Sequence, residues 1–266
     1  MRSPMIGITQ TAMMLASAVL AIAGEKRCPP DAVRVGPVCI DKYEASVWSI
    51  PGANTGLLNR VKAGKATAEM LVAGGATQVA VAEQAMCDPA FPPSFPATGN
   101  WTQPLYAVSI AGVTPSACVT QFQAAQACRL SGKRLLSNQE WQDAAAGTPD
   151  PGTDDGVADC NVGSGYVPVA TGSRVACRSS WGTYDMVGNV AEWVEGAWFP
   201  PPNGVGCPQW GSFSDDDACF PNPGAPGPGA IIRGGRWMLG ATSGVFAVEE
   251  YVPQTEGSSL GFRCGR

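Results

Sequence analysis

The stretch TQFQAAQACRLSGKRLLSNQEWQDAAAG, residues 120–147, holds two helix starts in close succession. Thr120-Gln121-Phe122-Gln123 has the form of a capping box: the threonine hydroxyl accepts an early backbone N–H, and the glutamine reaches back to the cap. The spacing predicts a helix to about Leu130, with Phe122, Ala125 and Cys128 on one stripe and Gly132 as its stop. Lys133 to Leu136 then makes a short link. Ser137-Asn138-Gln139-Glu140 is a second capping box, and Gly147-Thr148-Pro149 ends the helix it opens.

Outside this stretch the helical period fades. Upstream, Val33 to Ile40 and Cys39 to Val47 read as strand. Residues 51–104 have the composition of an insertion: Gly- and Ala-rich to residue 86, with a weak helix expected over Ala66 to Val81, then Pro-rich loop. Downstream, Gly, Pro, Asp and Ser interrupt the chain at short intervals. Short buried strands are expected at Ile231 to Trp237, Val245 to Val248 and Leu260 to Cys264. No fixed-period repeat and no long linker divides the chain, so residues 24–266 read as one domain.

Composition narrows the function. Among 266 residues there are 33 Gly, 23 Pro and 8 Trp, and only 15% are charged, which describes a loop-rich, aromatic-cored globule. Net charge is -5 with no basic run, so a nucleic-acid surface is not expected. There is no histidine at all, which removes Ser-His-Asp and Cys-His nucleophiles and every His-ligated metal site.

Residues 1–23 have the pattern of a signal peptide: Arg2, an apolar stretch from Ala12 to Ile22, and Ala21-Ile22-Ala23 before Gly24. No long apolar stretch follows, so no membrane span is expected after cleavage, and the protein is expected in the periplasm, at the cell surface or secreted. All 10 Cys lie beyond this segment, and an even count in an exported chain implies a disulfide framework. Three close pairs suggest local loops: Cys28 with Cys39, Cys160 with Cys177, and Cys207 with Cys219. Each such loop is worth up to about 3 kcal/mol in the chain-entropy account.

Five segments, in order, resemble the sulfatase-modifying-factor family that includes the formylglycine-generating enzyme: CIDKYEAS (39–46), QAAQACRLSGKRLLSNQEWQDAAAG (123–147), YDMVGNVAEWV (184–194), IIRGGRW (231–237) and GFRC (261–264). The resemblance implies an α+β fold, an elaborated C-type-lectin type with few helices, short twisted sheets and much loop. It also implies a long-range disulfide between Cys128 and Cys264, which leaves Cys87 and Cys118 as a further candidate pair.

The formylglycine-generating enzyme oxidises a substrate cysteine with O₂ at a Cu(I) ion held by two cysteines. Soft thiolates suit that ion. Carried over residue by residue, the copper positions fall on Leu239 and Gly244, and the serine after the Gly-Gly pair falls on Arg236. Neither Leu239 nor Gly244 offers a side-chain ligand, and iron-dependent relatives need histidines. Copper and iron are therefore not expected, and no catalytic residue is assigned. The resemblance further implies a structural calcium site at Asp185, the carbonyls of Gly188 and Val190, and Glu192, with a second beginning at Asn161-Val162. Alternate carbonyls of an extended segment with two carboxylates supply hard oxygen ligands.

Other features have plainer readings. Asp215-Asp216-Asp217 reads as a solvated acidic loop, and Glu44 as a buried carboxylate paired with Arg233, Arg236 or Arg263. Trp198 and Trp210 flank Pro-rich loops and are candidates to line a groove. Asn100-Trp101-Thr102 matches a glycosylation sequon. The reading that results is an exported binding or structural module without formylglycine-generating activity. It would present loops 51–104, 196–228 and 238–258 to a protein, peptide or glycan. The alternative is an enzyme using Glu44, Glu249, Glu250, Tyr251 or Arg236 for proton transfer. A closed apolar plug beside Trp237 and Leu239 would favour the module, and an open cleft with a carboxylate and an arginine the enzyme.

Overall fold

A computed structural model describes residues 27–83, 87, 91, 93–101, 103–150, 154–163, 165–198, 229–251 and 253–266. The expected leader, the Cys207 and Cys219 pair, Trp210 and the Asp215–Asp217 run lie outside the described residues, as does most of the 196–228 loop.

Among the described residues, three small sheets and four α-helices form the scaffold. Strands β1 (Ala32–Val35) and β2 (Val38–Asp41) make a tight hairpin, and β3 (Ala45–Ser49) follows. Next come helices α1 (Thr55–Lys62) and α2 (Ala68–Ala73) and strands β4 (Thr77–Val79) and β5 (Leu105–Ser109). Helix α3 (Gln121–Leu130), strand β6 (Arg134–Leu135) and helix α4 (Asn138–Ala145) carry the double-box stretch. The remaining strands are β7 (Ala191–Trp198), β8 (Gly229–Arg233), β9 (Val248–Tyr251), β10 (Leu260–Phe262) and β11 (Cys264–Gly265). The sheet orders are β1-β2-β11-β6, β10-β7-β8-β9 and β4-β3-β5. The last strand thus sits inside the first sheet, antiparallel to both β2 and β6.

Both capping boxes form. The Thr120 and Ser137 hydroxyls accept from the backbone N–H of Gln123 and Glu140, whose side chains accept from the cap N–H groups in return. The face of α3 differs from the expected stripe: Gln123, Ala124, Ala127 and Cys128 are buried, while Phe122 is 45% exposed. Small residues let the helix lie close to the core, and the Cys128–Cys264 disulfide fixes which side faces in. The strand read over residues 39–47 is two strands. The chain breaks at Lys42–Glu44 and passes from the first sheet to the third, as the Tyr43 N–H donates to Ser109 Oγ.

The segment 51–104 also departs from expectation. Its helical part is α1 and α2, started by Asn54 and Thr67 side-chain caps. The chain then reverses at Gly75, where φ is +77°, and continues as β4 in register with β3. Leu57, Val61 and Leu71 pack on Trp48, Tyr106 and Ile110, so this segment covers the third sheet. Strand β9 begins at Val248, the last residue of its expected span. The largest core cluster joins Val47, Leu105, Ala127, Trp193, Ile232 and Phe262 from several elements around α3.

The disulfides among the described residues are Cys28–Cys39, Cys87–Cys118, Cys128–Cys264 and Cys160–Cys177.

A buried ionic cluster fixes the hairpin to β6. Lys133 Nζ lies 2.8 Å from Asp31 Oδ2 and 2.8 Å from each oxygen of Asp41, and Arg266 pairs with Asp31 at 3.0 Å. Burial pushes Asp41 up to about 6 despite Lys133, whereas Lys133 and Arg266 hold Asp31 below its usual range. Between the ordinary value of 3.8 and about 6 the folded chain therefore binds Asp41's proton more tightly than the unfolded chain. This contribution, about 3 kcal/mol in size, is lost as pH rises through that interval. Asp41→Asn is expected to flatten the fall in denaturant midpoint across it.

Candidate functional site

Two neighbouring regions carry the residues singled out from the sequence. The first is the turn from Tyr184 into β7. Gly188 has φ +76°, and a Cβ there would lie 2.3 Å from the Asn161 carbonyl, so only glycine permits this approach. Asn189, itself left-handed at φ +52°, joins three segments. Its Oδ1 accepts from Asn161 Nδ2 (3.1 Å) and Val169 N (2.9 Å), and its Nδ2 donates to Glu44 Oε2 (2.6 Å). Glu44 Oε1 accepts from Val190 N at 3.0 Å. Glu44 is thus held by Asn189 and the backbone and makes no ion pair with Arg233, Arg236 or Arg263. Burial and the nearby Asp185 and Glu192 push it well above the carboxylate range.

Asp185 and Glu192 face the same interior. Asp185 accepts from Gly172 N at 2.7 Å, and burial raises it to about 7. Arg263 spans Glu192: Nη2 lies 2.6 Å from Oε1, and Nε lies 2.9 and 2.8 Å from the two oxygens. Trp141 Nε1 donates to Oε2 at 2.7 Å. These contacts fill the lone-pair directions of Glu192. Its oxygens are taken by a guanidinium and an indole, so the expected calcium set of Asp185, Gly188, Val190 and Glu192 does not fit a metal ion in this arrangement.

The Asn161-Val162 loop is also closed by protein groups. The Asn161 and Val162 carbonyls accept from Asn189 N and Gly240 N. Asp154 Oδ2 accepts from Val162 N (3.0 Å) and Gly163 N (3.2 Å), while its other oxygen lies 3.1 Å from Arg174. Arg174 supplies the positive charge here. Neither added calcium nor a chelator is expected to move Tm; a calcium-dependent rise in thermal melting would overturn this reading of both loops.

The second region surrounds the Gly234-Gly235 pair. Gly235 has φ +73°, and a Cβ would strike Ser243 at 2.4 Å. The turn brings Arg236 to 3.2 Å from Glu249 Oε2 on β9. Leu239 precedes a 3-10 turn at Gly240–Thr242, and its carbonyl accepts from the Thr242 hydroxyl; Gly244 is buried and has no side chain. Neither position presents a metal donor. Beside them lies an open cavity of about 570 Å³, with Arg236, Met238, Tyr251, Thr255, Ser258 and Cys87 on its wall. Glu249 is 3% exposed, and burial holds it above the usual carboxylate range against Arg236 and the Tyr251 hydroxyl. Among the described residues, Glu249 Oε1 and Trp237 Nε1 are buried polar atoms without a hydrogen-bond partner. Glu250 stands apart from this pair: it is partly exposed on β9, opposite Ile231.

The chain matches the description "Sulfatase-modifying factor enzyme 1-like domain" over residues 11–266. It belongs to that family. A search of curated proteins finds no match. Among solved structures, the Major Tropism Determinant U1 variant is similar at 17% identity and TM-score 0.47, covering 89% of this chain and 52% of that one. CarF is similar at 16% identity and TM-score 0.46, with 86% of each chain covered. PvdO from Pseudomonas aeruginosa follows at 19% identity and TM-score 0.39, covering 86% of this chain and 80% of that one. This chain spans about half the length of the Major Tropism Determinant variants.

Sequence reasoning missed Asn189 as a hub, Lys133 as a buried cation and Cys87 as a cavity residue. Only Asn189 left a local signal, an Asn after Gly at a sharp turn. The other two meet their partners across more than ninety residues of chain in one case and through tertiary packing in the other.

Proposed function

We propose that this family member is an exported ligand-binding protein that does not generate formylglycine. The observation carrying this reading is the wall at residues 236–244. Where soft copper ligands would be needed, Leu239 caps a turn and Gly244 is bare backbone. The disulfides support an oxidising compartment. The ligand is a polar group of a protein, peptide or glycan, met by Arg236 and Tyr251 on the cavity wall.

A second reading, an enzyme using Glu249 and Tyr251 for proton transfer beside Arg236, is favoured by the same cavity being open rather than plugged. Two measurements separate the readings. Purified protein loaded with Cu(I) and given a Cys-Pro-Arg peptide is expected to yield no aldehyde; oxygen-dependent aldehyde would refute the proposal. On peptide and glycan arrays, wild type is expected to retain a ligand that Arg236→Ala releases at least tenfold more readily. A mass change in the retained compound would establish the enzyme instead.

A further inference from the structure

Cys87 shares the cavity wall with Arg236 and Met238, which places a disulfide in contact with the space where a ligand would sit. Its setting differs from that of the core disulfides. Cys128, Cys264, Cys160 and Cys177 are all 0% exposed, whereas Cys87 is partly exposed. Its partner Cys118 is 4% exposed and held rigidly: its N–H donates to the Gly257 carbonyl at 2.9 Å, on the same cavity wall. Cys118 also adopts φ +54°, a left-handed conformation uncommon for a residue other than glycine. A partly exposed cysteine on a cavity wall, bonded to a partner fixed by the backbone, gives an incoming thiol the access that exchange requires.

We propose that Cys87–Cys118 is a redox-active disulfide that exchanges with a thiol entering this cavity. The incoming thiolate attacks Cys87 Sγ. The Sγ–Sγ bond breaks, and Cys118 leaves with the electron pair and takes up a proton. A second thiolate then attacks the substrate sulfur of the mixed disulfide and releases Cys87. The net change is reduction of the protein disulfide to two thiols and oxidation of two substrate thiols to one disulfide. The thiol substrate is therefore the reductant, and no further co-reactant is needed. This inference rests on the disulfide and its cavity and holds whether or not the ligand reading above is correct.

The test is differential alkylation and peptide mapping of the folded protein in glutathione buffers of increasing reducing strength, with a parallel arm using a two-cysteine peptide. Cys87 and Cys118 are expected to become alkylated while far-ultraviolet and near-ultraviolet circular dichroism stay native and the other pairs remain joined. Reaction with glutathione alone would identify a small thiol as the source, and preference for the peptide a protein thiol. Offered glutathione disulfide, Cys118→Ser is expected to form a mixed disulfide at Cys87, releasing one glutathione thiol, at least tenfold faster than Cys87→Ser forms one at Cys118. If Cys87 and Cys118 open only together with the buried pairs on unfolding, or if Cys28–Cys39 opens first, the proposal is wrong.

Discussion

Replacing Cys128 and Cys264 together by alanine is expected to destabilise the protein by about 5 kcal/mol, measured by chemical denaturation against wild type. The bond joins residues 136 positions apart, and loop-closure entropy grows with that separation. The same substitution at Cys28 and Cys39, separated by 11, is expected to cost about 3 kcal/mol. Since a domain of this size is stable by roughly 5–15 kcal/mol, the first variant is expected to be largely unfolded in mild denaturant. The loss has a second source. Both sulfurs are wholly buried where α3 meets β11, so their removal also leaves unfilled space in the core. Equal losses for the two pairs would show that the unfolded chain already holds its ends together.

Arg263→Met is expected to cost about 3–5 kcal/mol by the same measurement, because it strands Glu192 as a buried charge among other acids. Arg263 is 1% exposed and donates to the Asp41, Lys42 and Tyr184 carbonyls as well as to Glu192. It therefore ties the β2–β3 crossing to β7. Arg263→Lys is expected to recover less than half of the loss, since a point ammonium cannot span both carboxylate oxygens and reach those carbonyls. Adding Glu192→Gln to Arg263→Met is expected to cost less than the sum of the separate changes, because the neutral amide removes the stranded charge.

Local chemistry made part of this molecule legible. The capping boxes at Thr120 and Ser137 are complete within four residues each, and the structure realises both. Helix α1 leaves little local signal because its sequence, TGLLNRVK, opens with Gly at its second position and lacks a first-turn acid. The stripe assigned to α3 failed because burial there follows the disulfide and the small residues Ala124 and Ala127, and the larger Phe122 faces outward. At the site, Glu44 is buried as its sequence reading expects, but its partner is not an arginine. Glu44 finds Asn189 and Val190, more than a hundred positions away, and no spacing rule reaches so far. The cavity was invisible for the same reason, since Cys87, Arg236 and Tyr251 meet only after the sheets have formed.

The position of β11 between β2 and β6 governs the order in which this protein can be made. A chain threaded N-terminus first presents the hairpin and β6 long before the strand that joins them, so the first sheet stays divided until residues 264 and 265 arrive. Folding is therefore a late event driven by distant partners, a topology associated with slow rates and a long exposure of unpaired edges. Chaperones that act on incomplete chains would meet this protein at that stage.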